Sequence, residues 1–146
     1  MTYLLDVNVL IALFDPAHPF YHVAHQWLGT KHSDTWATCP MTECGFVRIV
    51  SNAAYRTVTL TSQEIAERLR LFCQRPDHVF WPDAISITDP SIFDLSQLRG
   101  HQQITDTYLA GMAFHYGGKL ATFDANVPIA AVAGAKPSTL EVIAVP

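Results

Sequence analysis

The chain has 146 residues, about half of them apolar, and a formal net charge of −4. That length suits one domain, residues 1–146, and at this size roughly 68–70% of the unfolded chain's surface can be buried, which with this composition excludes a disordered polymer. The acidic balance argues against a dedicated nucleic-acid coat, which is basic overall, but leaves room for an enzyme that holds its substrate through metal ions.

The first element, Tyr3 to Asp6, reads as a short buried strand whose flatly apolar character suits a parallel sheet. Asn8 to Phe14 continue as the first turns of a helix that stops before Pro16. Residues 21–31 have helical spacing, with Val23, Trp27 and Leu28 on one face. Thr35 to Cys39 forms a second strand, ended by Pro40. Proline is well placed at the first position of a helix, and 41–51 continue with helical spacing. Thr61 and Glu64 have the capping-box arrangement, followed by Ile65, Leu69 and Phe72 at i, i+4 and i+7. His78 to Trp81 is a third short strand. Residues 104–116 are the clearest helix: Ile104, Tyr108, Met112 and Tyr116 recur every four residues, and Gly117-Gly118 end it. Lys119 to Phe123 and Glu141 to Val145 read as strands. Strands alternating with helices predict an α/β fold with a central, mostly parallel sheet covered by helices on both faces.

No apolar run reaches the roughly 20 residues a membrane span needs. The N-terminal apolar run has no basic segment before it and is interrupted by Asp6, so it makes a poor signal peptide. Cys39, Cys44 and Cys73 are odd in number and fit no zinc spacing; they read as free buried thiols in a reducing cytoplasm.

Asp6 poses the main chemical question, because a carboxylate is almost never buried without compensation. Asp124 likewise closes the strand Leu120-Ala121-Thr122-Phe123. In an open parallel sheet, ligands bind outside the carboxyl ends of strands, so two acids at two such ends are candidates for a shared site. Glu43 shares a helical face with Phe46, Val47 and Val50, the face expected to pack inward. Asp106 opens the 104–116 helix with Ala110 and Ala113 on its side. Taken alone, Glu43 and Asp106 also fit ordinary first-turn acids, favoured by the helix dipole. Taken with Asp6 and Asp124, they fit four carboxylates at one edge of the sheet. Like charges about 4 Å apart repel by roughly 4 kcal/mol at an effective dielectric near 20, so such a cluster takes up protons or binds a cation. With only oxygen donors, that cation is hard: Mg²⁺ or Mn²⁺ and not zinc.

Four stretches carry a resemblance: L-L-D-V-N-V-L-I-A-L at 4–13, T-E-C-G-F-V-R-I at 42–49, I-T-D-T-Y-L-A-G-M-A at 104–113 and A-T-F-D at 121–124. In order and spacing the sequence resembles PIN-domain nucleases, and more narrowly the VapC-type toxins of bacterial toxin–antitoxin pairs. The resemblance implies a three-layer α/β/α sandwich and a Mg²⁺- or Mn²⁺-dependent ribonuclease. Asp6, Glu43, Asp106 and Asp124 match the acidic quartet, with Asp6, Asp106 and Asp124 as metal ligands. Asn8 matches a polar residue that supports the site by hydrogen bonding, and Thr122 the small hydroxyl residue before the last aspartate. A homodimer, a cognate antitoxin that blocks the site, and cleavage leaving a 5′-phosphate and a 3′-hydroxyl are also implied. Residues 125–139 match no motif.

Arg48 is the first candidate for holding RNA phosphate; Arg56 and Lys119 are weaker. Trp27, Trp36 and Trp81 read as core and not as base-stacking platforms. His18, His22 and His25 lie close in sequence but have no acidic partner nearby, and read as a solvated helix face. Aspartyl-phosphate phosphatases also begin with an aspartate after an apolar strand, but they need a second acid where this chain has Asn8. Two further alternatives are an RNA-processing nuclease without an antitoxin and a metal-free binding module whose acids merely cap helices.

Overall fold

The computed structural model describes residues 1–55 and 57–146; Arg56, one of the weaker RNA-contact candidates, lies outside the described residues. Five short strands, β1 (Thr2–Leu5), β2 (Thr35–Thr38), β3 (His78–Phe80), β4 (Lys119–Thr122) and β5 (Leu140–Val142), form one sheet in the order β3-β2-β1-β4-β5. Every neighbouring pair is parallel. The helices α1 (Val7–Phe14), α2 (Tyr21–Gly29), α3 (Pro40–Val50), α4 (Ser62–Phe72) and α5 (Ile104–His115) connect them. These are the elements expected from the spacing, with shifted ends. α2 stops at Gly29 because the Thr30 hydroxyl bonds back to the Trp27 carbonyl and closes a turn. β5 is shorter than Glu141 to Val145, although the Ile143 N–H still donates to the Thr122 carbonyl at 2.8 Å.

Period-two alternation builds the layers. Tyr3 and Leu5 face one way, into a core shared with α1, α2, α3 and α4, including Leu10, Leu28, Phe46 and Ile65. Leu4 between them faces the other way, into a core with Leu109 and Met112 of α5. The result is the expected three-layer α/β/α sandwich. α5 needs no amphipathic stripe, since residues 107–113 are all buried. Two irregular segments cover its outer side: Phe93 pairs with Val132 in an isolated antiparallel bridge, and both are buried. The stretch 125–139 is thereby placed as a wrap with short 3₁₀ turns whose Val127 and Val132 complete this second core.

Trp36 and Trp81 are buried, as expected, against Phe72 and Tyr116. Trp27 is half-buried, edge-on to Tyr3, and its indole N–H donates to Glu141 Oε1 at 3.1 Å. The thiols need a correction: Cys39 is buried and Cys73 half-buried, but Cys44 is exposed, because one helical step from Glu43 turns it off the packed face. Among the described residues, no helix is long and apolar enough to cross a membrane.

Asp15, the residue that ends α1, is buried at 3% exposure. Its carboxylate accepts hydrogen bonds from the Tyr55 hydroxyl at 2.7 Å, the Thr57 hydroxyl and the Ala17 N–H. This fastens the segment between α3 and α4 to the end of α1. Burial works to raise the Asp15 pKa, but the bonds from Thr57, Tyr55 and Ala17, with His18 nearby, outweigh it and hold the group below the usual carboxylate range. Burial and the same bond push Tyr55 up to about 12.

Two outcomes follow from the packing. Gly118 has no room for a side chain: a Cβ there would sit 2.4 Å from the Thr2 carbonyl oxygen and 2.7 Å from the Trp81 ring. Gly118→Ala should therefore destabilise the protein by about 1–3 kcal/mol in chemical unfolding; unchanged stability would show that β1 and β4 shift freely. Asp15→Ala leaves two hydroxyls without their acceptor, at a cost of about 1–3 kcal/mol at pH 7. A depressed folded pKa gives stability that is full above the unfolded value, about 3.9, and lost as pH falls through the folded one. The gap between parent and variant in urea titrations should thus narrow below about pH 4; a gap independent of pH would contradict this.

Candidate active site

Parallel strands end together, and the helices that leave or return to their carboxyl ends start there. Asp6 follows β1 directly. Its N–H donates to the Ala121 carbonyl of β4 at 3.0 Å, and its own carbonyl accepts from the Val9 and Leu10 N–H groups, starting α1. Backbone bonding thus fixes the residue, while its side chain makes no helix cap. The carboxylate is buried, at 7% exposure, and Thr122 Oγ1 donates to its Oδ2 at 2.9 Å. Thr122 Oγ1 also accepts the Asp124 N–H at 3.1 Å, and Asp124 Oδ1 accepts the Asn126 N–H at 2.7 Å. One buried hydroxyl therefore ties the two strand-end aspartates together.

Asp106 stands in the first turn of α5, which runs back along the sheet and so begins beside the end of β4. Burial first, then the charges of Asp6 and Asp124, push its pKa up to about 6. Asp6 is also raised: by burial, against the bonds from Thr122 and the Val7 N–H, and by the charge of Asp124. The charge of Asp124 thus opposes ionisation of Asp6, and the charges of both oppose ionisation of Asp106. Among the described residues, no ion pair reaches any of them.

Glu43 lies apart. It is half-buried in the first turn of α3, where Cys39 and Thr42 cap the helix and Pro40 opens it. Burial raises its pKa, a bond from the Thr38 hydroxyl at 3.5 Å lowers it, and no aspartate contributes. β2, which delivers Glu43, and β4, which ends beside Asp106 and delivers Asp124, flank β1 on opposite sides, so Glu43 reaches this edge on one side of Asp6 and the other two acids on the opposite side. Thr38 Oγ1 lies 2.8 Å from His78 Nε2, and the Cys73 thiol is pushed up to about 11 by burial and by Glu43. The Thr38–His78 support of Glu43 went unread in the sequence; its one signal was a hydroxyl residue ending a strand, the position Thr122 also holds.

Glu43 opens onto a groove of about 860 Å³ between α3 and α4, and Arg48 lines the same groove, exposed. Asn8 is exposed and, among the described residues, its side chain makes no hydrogen bond; Thr122 is the side chain that bonds Asp6. Lys119 begins β4 and so belongs to the opposite edge of the sheet. His22 and His25 are exposed, and His25 is occupied with the Leu13 carbonyl at 2.8 Å.

Among the described residues, no three His, Cys, Asp or Glu side chains close around a single point. The donor chemistry nonetheless fits a hard divalent ion. All donors are oxygens, the carboxylates lack a cationic partner among the described residues, and Mg²⁺ commonly takes one or two carboxylates while water and phosphate fill its other positions.

Residues 3–134 match the PIN domain. The chain is 41% identical to Ribonuclease VapC39 of Mycobacterium tuberculosis over 134 residues, which cover 92% of this chain and 96% of that protein. It is 37% identical to Ribonuclease VapC44 of the same organism over 135 residues, 92% and 94% of the two chains. Ribonuclease VapC29 is 40% identical over 133 residues, 87% of this chain and 89% of the relative. A domain match across nine-tenths of the length, a parallel sheet of the expected form and near full-length relatives at this identity agree: the chain belongs to the PIN-domain family, among the VapC proteins.

Proposed function

We propose that this protein is a divalent-metal-dependent endoribonuclease and the toxin of a toxin–antitoxin pair. The observation that carries the reading is the trio Asp6, Asp106 and Asp124: carboxylates at the open edge of the sheet that, among the described residues, no cation balances. The relatives' printed name, ribonuclease, supplies the reaction class. A homodimer in the cytoplasm, silenced by a cognate antitoxin laid over the carboxylates, completes the reading.

Asp6, Asp106 and Asp124 would hold Mg²⁺ or Mn²⁺. The ion, when bound, supplies positive charge that offsets the carboxylates, polarises the scissile phosphodiester and makes water more acidic. Thr122 holds Asp6 by its Oδ2, which fixes the carboxylate at the end of β1. Asp124 is held in the same way, with Oδ1 on the Asn126 N–H and Oδ2 free. Glu43, its pKa raised by burial, is suited to take the proton of the attacking water, and Thr38 steadies the carboxylate that receives it. Arg48 offers its guanidinium to a phosphate on the Glu43 side. In-line attack would leave a 5′-phosphate and a 3′-hydroxyl.

Asp6→Ala should lower cleavage of single-stranded RNA by about 100-fold or more while far-UV circular dichroism stays that of the parent. Undiminished cleavage would place the chemistry elsewhere. Asp106→Asn removes one of three opposed charges at nearly constant shape. In protein stripped with EDTA it should raise Tm by about 2–4 °C, since a raised carboxylate pKa means the ionised form costs stability at pH 7. A lower Tm would mean that Asp106 is a structural cap and not a strained member of the cluster.

A further inference from the structure

A small polar pocket of about 190 Å³ lies beside the proposed catalytic acids, lined by Gln97, Arg99, Gln103, Asn126 and Pro128. It touches the site from two directions. Gln103 immediately precedes α5, three residues before Asp106, and Asn126 donates its N–H to Asp124 Oδ1. From these residues we infer that the pocket reads a base of the RNA next to the scissile phosphate, and that it favours guanine; the inference rests on the ribonuclease reading above.

Hydrogen bonds fix which atoms the pocket presents. The Arg99 backbone N–H, which can only donate, ends on Gln103 Oε1 at 2.8 Å, so the Gln103 amide nitrogen is left facing outward as a donor. Gln97 Nε2 donates to the Asp94 carboxylate at 3.3 Å, which leaves Gln97 Oε1 as an acceptor. The Arg99 guanidinium is exposed and, among the described residues, pairs with no carboxylate. Its donors and the Gln103 amide make the pocket chiefly donating. Unstacked bases of single-stranded RNA are read on their Watson–Crick and Hoogsteen edges. Guanine presents two acceptors, O6 and N7, on one edge and suits an arginine fork, whereas adenine and cytosine present an exocyclic amine donor. The opening on the Glu43 side differs: its groove includes Val47, Ala66, Leu69 and Phe80 and is far larger than one base requires. The polar pocket is thus the better reader of sequence.

The test is cleavage of a randomised single-stranded RNA pool in Mn²⁺, with the new ends sequenced, for the parent, Arg99→Ala, Gln103→Ala and Gln103→Glu. For the parent, guanine should be enriched about tenfold at one fixed offset from the cut. Arg99→Ala and Gln103→Ala should flatten that enrichment while total cleavage of the pool falls far less. Gln103→Glu keeps the oxygen that receives the Arg99 N–H but swaps the amide donor for an acceptor, so the preference should move toward adenine or cytosine. Enrichment unchanged in all three variants overturns the subsite and leaves the ribonuclease reading standing. Equal loss of cleavage at every sequence also overturns the subsite, as the mark of a structural role. A parent that cuts no RNA overturns both readings together.

Discussion

Repulsion among Asp6, Asp106 and Asp124 is the interaction on which the account of this molecule turns. Burial makes it hard for Asp6 and Asp106 to hold charge, and the charge of Asp124 on both, with that of Asp6 on Asp106, adds to the cost. Among the described residues no lysine or arginine pairs with these carboxylates, and like charges gathered without such a partner carry a local instability. Such an arrangement makes chemical sense when a cation from solution completes it. The surrounding structure resists relaxation of the cluster: Asp6 is tied by its backbone to β4 and by its side chain to Thr122, and Thr122 in turn holds Asp124.

The parallel sheet supplies the geometry. Because β1, β2 and β4 run the same way, the residues that leave their carboxyl ends emerge on one edge. Because β1 lies between the other two, Asp6 is flanked by α3 with Glu43 on one side and by α5 with Asp106 on the other. The edge is therefore asymmetric, with a wide groove next to Glu43 and a narrow polar pocket next to Asp124. That asymmetry gives a bound strand two unlike sides and hence a direction.

Much of this was legible in residue order, and for definite reasons. Asp6 and Asp124 stand out because a charge at the end of an apolar run contradicts its surroundings, and Asp106 because a periodic helix starts beside it. The fold class followed from alternation of short apolar runs with helical spacing. Strand order was not legible, since spacing along the chain does not say which strands are neighbours; the side of Asp6 from which each acid arrives could therefore not be read. Asp15 carried no local signal, because the hydroxyls that justify its burial come from Tyr55 and Thr57, about forty residues on. The bond from Thr122 to Asp6 comes through contact between strands and not through proximity in sequence, so residue order gave no sign of it. The pocket of Arg99, Gln103 and Asn126 is assembled from two irregular segments, whose course no periodicity predicts.

The most direct measurement of the central claim is a calorimetric titration of EDTA-stripped protein with Mn²⁺, for the parent and for a double variant, Asp6→Asn with Asp124→Asn. The account predicts saturable binding by the parent that the double variant loses. Binding of equal strength by both proteins, or none by the parent, would contradict the assignment of these carboxylates as the seat of a divalent ion.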